Sequence, residues 1–167
     1  MRSKYSCATL VLALLFSRPA ASQSAVQLAG FQAYLFNSKT GRLSQDMLAK
    51  GAPELGNVPM GEFASVSVLV VVRVELGAEA PVPQKTQIRL VALESGSMPF
   101  AAKDGKTRDR TILDRTSSLG PVNDKGAGYV GFWLDNTGCH TITLKAYVVG
   151  VRDAAPLTGV LPFTCYE

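Results

Sequence analysis

Between residues 62 and 76 the chain alternates in a strict period of two. Val66, Val68, Val70, Val72, Val74 and Leu76 share one face, while Ser65, Ser67, Leu69, Val71, Arg73 and Glu75 share the other. Period-two alternation with this many β-branched side chains predicts a strand. Its middle is apolar on both faces, which predicts a central place in a sheet. Residues 84–94 alternate Ile88, Leu90 and Ala92 against Gln87, Arg89 and Val91, and predict the next strand, paired with the Val-rich one across the turn at Pro81 and Pro83. Upstream, the aromatic-rich residues 27–36 predict a first strand, Ser38-Lys39-Thr40-Gly41 a tight turn, and residues 42–48 a short return strand. Residues 50–61, with Pro53, Pro59 and three glycines, predict a loop. Residues 95–115 read as the longest irregular region, with a short edge strand at residues 111–113 guarded by flanking charges. Residues 117–127 read as loop again. Residues 157–166 predict the last strand, placed by Pro162 at an edge or bulge.

Residues 128–150 gather the single Trp, the single His and one of the cysteines, and their pattern predicts a β-hairpin. Asp135-Asn136-Thr137-Gly138 suits a type I turn closed by a left-handed glycine. A three-residue loop there sets Leu134 opposite His140, Phe132 opposite Ile142 and Val130 opposite Leu144. The alternative four-residue loop mixes apolar with polar side chains on both faces, and a one-residue slip exchanges the faces. In the preferred register His140 faces the core. Tyr129, Gly131, Trp133 and Asp135 face away from it, opposite Lys145, Thr143, Thr141 and Cys139.

The N-terminus changes how the composition is read. Arg2 and Lys4 precede a ten-residue apolar run over residues 7–16, and Ala20-Ala21-Ser22 follows. That is the three-part pattern of a secretory signal peptide, too short to span a bilayer, with cleavage expected after Ser22 and Ser24 as the alternative. The domains are therefore a leader over residues 1–22 and a single domain over residues 23–167, secreted or periplasmic. The full chain carries 17 Lys+Arg against 13 Asp+Glu, but Arg2, Lys4 and Arg18 belong to the leader, so the remainder is close to neutral. No dense basic face is left for nucleic acid, and no further apolar run is long enough for membrane insertion after cleavage. The cysteine count falls from three to two. Cys139 and Cys165 then read as a disulfide closing a loop of about 25 residues.

Seven or eight short strands, no amphipathic helix and one late disulfide predict an all-β fold. The expected architecture is an antiparallel β-sandwich of immunoglobulin-like or similar Greek-key topology. Trp133 precedes both cysteines rather than lying between them, so the bridge is expected to staple the C-terminal strand beside its neighbour, not to pin two sheets. Exported pilus subunits of the chaperone-assembled kind are small disulfide-bonded β-sandwiches ending in an alternating strand with a penultimate Tyr. Leu157, Gly159, Leu161, Phe163 and Tyr166 resemble that ending. The cysteines are placed differently and the alternation breaks before Tyr166, so the resemblance supplies the alternative function, a structural or adhesion subunit assembling by strand exchange.

Candidate chemistry is sparse. One His cannot furnish a histidine-based metal site, and no nucleophile elbow, phosphate loop or dinucleotide motif occurs. Asp104, Asp109, Asp114, Asp124, Asp135 and Asp153 lack Asp-x-Asp spacing. Those around Asp104 are interleaved with Lys103, Lys106, Arg108 and Arg110, which would neutralise a calcium site. That charged run reads as a solvated loop. No cofactor and no metal are expected, and catalysis is expected only if His140 lies in a cleft beside a Ser or carboxylate. The expected function is non-catalytic binding of a protein or carbohydrate partner through surface aromatics and loops. Trp133, Tyr129 and Lys145 are the candidate binding residues, with Gly131 leaving a flat gap between the two rings.

Overall fold

A computed structural model describes residues 26–57, 63, 67–77, 85–96, 109–151 and 155–165. The expected leader, most of the charged run around Asp104, Asp153 and Tyr166 lie outside the described residues. The described chain is all-β: β1 (Val26–Asn37), β2 (Arg42–Leu43), β3 (Leu55–Gly56), β4 (Ser67–Leu76), β5 (Gln87–Glu94), β6 (Arg110–Ser118), β7 (Ala127–Asp135), β8 (Ile142–Val148), β9 (Leu157–Leu161) and β10 (Phe163–Thr164). Two antiparallel sheets form, ordered β2-β1-β4-β7 and β6-β5-β8-β9, with β10 and β3 making a small parallel pair. The alternating residues meet in one core. Val68, Val70, Val72 and Val74 from the first sheet and Ile88, Leu90, Ile142 and Leu144 from the second are all fully buried. Packing two apolar sheet faces together supplies most of the driving force for such a fold.

The Val-rich β4 is central, hydrogen-bonded between β1 and β7 as its two apolar faces predict. In β1 the ladder steps from Leu28 opposite Val74 to Gly30 opposite Arg73, leaving Ala29 as an extra residue. This bulge exchanges the faces. Val26 is buried before it, whereas Ala33 and Leu35 are buried after it. The turn after β1 forms as expected. Gly41 adopts φ 69° and donates its N–H to the Asn37 carbonyl at 2.8 Å, while the Asn37 Oδ1 accepts from the amides of Lys39 and Thr40 at 2.9 and 3.1 Å.

Three expectations are corrected. First, residues 128–150 are not a hairpin. β7 pairs with β4 through nine consecutive residue pairs, from Ser67↔Asp135 to Glu75↔Ala127, and β8 lies in the other sheet between β5 and β9. Residues 136–141 carry the chain from sheet to sheet, with Asn136 at φ 57° and Gly138 at φ 139°. Left-handed residues at Asn and Gly suit a sharp change of direction as well as a hairpin loop, which is why local turn chemistry misleads here. Val130, Phe132 and Leu134 still point to the core, but across it from Leu144 and Ile142 rather than beside them. Secondly, β4 and β5 do not pair; their apolar faces oppose each other across the core. Thirdly, residues 110–118 are one nine-residue strand, β6. It is an edge strand that buries no side chain fully, so it carries no apolar alternation to read.

β9 is the other edge of that sheet, and Pro162 marks where the chain leaves β8 to join β3. Gly159 on β9 admits Phe31 of β1 from the opposite sheet: a Cβ there would lie 2.6 Å from Phe31 Cδ2. Glu94 ends the inward face of β5 and is buried. Arg110 of β6 caps it, donating from Nε to its Oε2 at 3.0 Å.

Candidate functional site

The outer face of the first sheet is built by the same alternation that builds the core. On β7 the residues between Val130, Phe132 and Leu134 are Tyr129, Gly131, Trp133 and Asp135, all exposed. On β4 the outward residues are Ser67, Leu69, Val71, Arg73 and Glu75, and on β1 they include Gln32, Tyr34 and Phe36. Register sets Tyr34, Leu69 and Trp133 in one row across three strands, and Gln32, Val71 and Gly131 in the next. The Phe36 ring meets Trp133 edge-on at 5.4 Å and 78°. Ser67, opposite Asp135, is the next outward residue of β4 beyond Leu69. Leu43 of β2, opposite Phe36, extends the strip and is exposed.

The result is an outward band of Leu43, Phe36, Tyr34, Leu69, Trp133 and Tyr129. Trp133 is 43% and Tyr129 50% exposed. Contiguous apolar surface of this kind is uncommon on a sheet face unless something covers it. The gap at Gly131 is not bare. Leu69 leans over it, with Cδ1 3.3 Å from where a Cβ would sit. Polar groups bound the band. Arg73, opposite Tyr129, pairs with Glu75 at 2.5 Å, and Asp135 stands beyond Trp133. Burial pushes the Tyr34 phenol above its ordinary pKa, with Asp46 and Tyr129 adding to the shift.

The loop after β2 holds β1 in place. Asp46 Oδ1 accepts from the amides of Ala33 at 2.9 Å and Leu48 at 3.0 Å, and Ser44 Oγ accepts from the Leu35 amide at 2.9 Å. The amides of Ser44 and Met47 in turn donate to the carbonyls of Leu35 and Ala33. Side-chain oxygens thus continue a ladder on the far edge of β1 after the two-residue β2 has ended.

Of the three expected binding residues, the structure groups Trp133 and Tyr129 and separates Lys145. Lys145 lies on the outer face of the second sheet between Val91 and Thr158. Its expected place beside Tyr129 came from a β7–β8 pairing that does not exist. The same correction removes His140 from the core face; it is half-buried in the connector. Tyr34, Phe36 and Leu69 complete the band and were not among the expected residues. Their signal was present in the apolar outward positions of β4 and the alternating aromatics of β1, and only the strand order joins them to Trp133.

Cys139 and Cys165 are disulfide-bonded, with Cα atoms 4.6 Å apart. The bridge ties the connector between the sheets to the end of β10 and does not cross the core. Among the described residues no group of three or more His, Cys, Asp or Glu is placed to hold a metal ion, and no helix is long and apolar enough to cross a membrane. No protein-family model matches the chain, and no curated protein is significantly similar to it.

Proposed function

We propose that this chain is an exported, non-catalytic binding protein that uses the outer face of the β2-β1-β4-β7 sheet to hold a protein partner. One observation carries the reading: an outward band of aromatic and aliphatic side chains runs across four strands where a solvated sheet face would be polar. Leu43 and Leu69 between the rings favour a protein surface over a sugar, because carbohydrate platforms surround their aromatics with hydrogen-bonding groups. Export rests on the leader-like residues 1–22 and on the disulfide, which suits a secreted or periplasmic setting. The strand order, with β4→β5, β6→β7 and β7→β8 crossing between sheets, supports an immunoglobulin-like Greek-key sandwich. Assembly by donation of a terminal strand is less well supported, since β1 and β9 are both paired within the chain.

The test uses 8-anilinonaphthalene-1-sulfonate as an apolar probe, with cellohexaose and chitohexaose as sugar probes. The native protein should bind the dye, and Tyr129→Ser with Trp133→Ser should abolish at least half of the fluorescence enhancement. Trp133 is more than half buried and packs on Phe36, so the two substitutions should together cost about 1–2 kcal/mol, and circular dichroism checks that the variant stays folded. Absence of dye binding, or dye binding indifferent to both substitutions, contradicts the proposal. Quenching of Trp133 by either sugar without dye binding replaces the protein partner with a carbohydrate.

A further inference from the structure

We infer that the edge of β7 turned away from β4 pairs with β7 of a second copy of this chain, antiparallel and about a two-fold axis, joining two first sheets into one. The proposal concerns the strand edge and goes beyond the reading of the sheet face. The Leu76 amide donates to the Gly126 carbonyl at 2.9 Å, one step beyond the Glu75↔Ala127 pair. In an antiparallel ladder bonded and non-bonded pairs alternate. Residues 128, 130, 132 and 134 therefore bond to β4, and residues 127, 129, 131, 133 and 135 turn their N–H and C=O groups the other way. Asn123 confirms this phase. Its amide donates to the Ala127 carbonyl at 2.9 Å, and its Oδ1 accepts from the Ala127 amide at 3.0 Å, on the side of β7 away from β4. Asn123 thus closes the first position of that edge. Among the described residues no strand pairs with Tyr129, Gly131 or Trp133 on that side.

The other sheet edges are guarded. The far edge of β1 is occupied from Ala33 to Asn37 by β2, Ser44, Asp46 and Met47, and its first half is broken by the bulge at Ala29. β6 carries Arg110, Asp114 and Arg115, and the five-residue β9 lies between Pro156 and Pro162. Charges, prolines and brevity are the usual means of preventing edge-to-edge pairing. β7 lacks them over the pairing stretch: from Gly126 to Leu134 it carries no charge and no proline, and its one charge, Asp135, ends the strand.

The sequence also identifies the occupant. Around Gly131 the residues read Gly128-Tyr129-Val130-Gly131-Phe132-Trp133-Leu134, aromatic–apolar–Gly–apolar–aromatic about the centre. Pairing about Gly131 sets each Tyr129 opposite the partner's Trp133 and each Val130 opposite the partner's Phe132. The open backbone groups of residues 129, 131 and 133 meet their like in the bonded phase, and both apolar faces stay in register. The paired stretch runs from Tyr129 to Trp133 and ends there, because Asn123 already occupies the edge at Ala127, opposite the partner's Asp135. A contact of this size belongs with small transient interfaces, so the dimer should form at high micromolar concentration.

The test is sedimentation equilibrium of the protein expressed from its full sequence, up to about 0.5 mM. Wild type should show a reversible monomer–dimer equilibrium. Gly131→Pro removes an N–H that points away from β4, so the fold can persist, and it should weaken the dimer by about a hundredfold. Should that variant not fold, Tyr129→Lys with Trp133→Lys on exposed sites sets Lys opposite Lys and should abolish dimerisation equally. Gly131→Cys should form a disulfide-linked dimer faster than Val160→Cys on the edge strand β9. A wild-type protein that stays monomeric, a dimer unaffected by these variants, or equal cross-linking from both cysteines overturns the inference. Loss of dye binding without loss of the dimer would instead concern the sheet face alone.

Discussion

Gly159 offers a sharp test of how the two sheets face each other. It sits on the inward side of β9, opposite Leu144, and accepts the ring of Phe31 from β1. A methyl group at this position would lie 2.6 Å from Phe31 Cδ2 and 3.1 Å from Cε2. Carbon atoms rest at about 3.5–4.0 Å, so the ring or the edge strand must withdraw by about an ångström. Overpacking of this kind costs about 1–3 kcal/mol. Alanine recovers about 0.5–1 kcal/mol of that through its smaller loss of backbone freedom on folding. The two terms span about 0–2.5 kcal/mol of net destabilisation for Gly159→Ala, with about 1 kcal/mol at the centre, or about 3 °C in the melting midpoint for a domain of this size. Urea unfolding should show a lower midpoint with an unchanged slope. Phe31→Ala removes the obstacle, so in that background Gly159→Ala should be neutral or stabilising. A clear stabilisation by Gly159→Ala in the wild-type background, or a penalty that survives Phe31→Ala, refutes the placement of β1 against β9.

Other outcomes follow from particular contacts. Reduction of Cys139–Cys165, or Cys139→Ser with Cys165→Ser, releases a loop with a sequence separation of 26 and should cost about 3.5 kcal/mol by loop entropy, read by urea unfolding with and without reductant. Arg110→Ala strands the Glu94 carboxylate, whose side chain is 6% exposed. Arg110 itself is 59% exposed, so water can partly replace it, and a loss of about 1–2 kcal/mol in chemical denaturation is expected. Arg89 makes two hydrogen bonds to Asp114, at 2.7 and 2.6 Å, which hold the Asp114 carboxyl below its ordinary pKa. A depressed carboxyl stabilises the fold above its unfolded pKa, and this is lost as pH falls through the folded value. The carboxyl carbon of Asp114 should therefore titrate at lower pH in wild type than in Arg89→Gln, by NMR. Trp133 should emit as a partly solvated indole and be quenched by acrylamide in the folded protein; a blue, unquenched emission would contradict its outward position.

The sequence discloses this fold in proportion to how local the signal is. Val68 to Val74 and Ile88 to Ala92 alternate cleanly because each strand buries one face, so their existence and inward sides are legible. The turn at Gly41 is legible because a left-handed glycine after Asn37 is a local requirement. Partner choice is not local. Asn136 and Gly138 allow a tight reversal, and they equally allow the chain to leave one sheet for the other. The choice is settled by pairing far along the chain: β4 takes β7 as its neighbour, and β8 joins β5 and β9. β6 is illegible for another reason: an edge strand held by Arg89–Asp114 and Arg110–Glu94 has little apolar pattern to show. The aromatic band suffered most from this. Trp133 and Tyr129 stand out by residue type, but Tyr34, Phe36 and Leu69 join them only once β7 is known to lie beside β4.

The central claim is that this band is a recognition surface, and amide chemical-shift mapping of 8-anilinonaphthalene-1-sulfonate binding tests it most directly. The perturbed amides should concentrate at Tyr34, Phe36, Leu69, Tyr129 and Trp133. Thr143, Lys145 and Thr158 on the outer face of the opposite sheet should be unmoved. Perturbations centred on that second face, or spread without preference over both, would contradict the account.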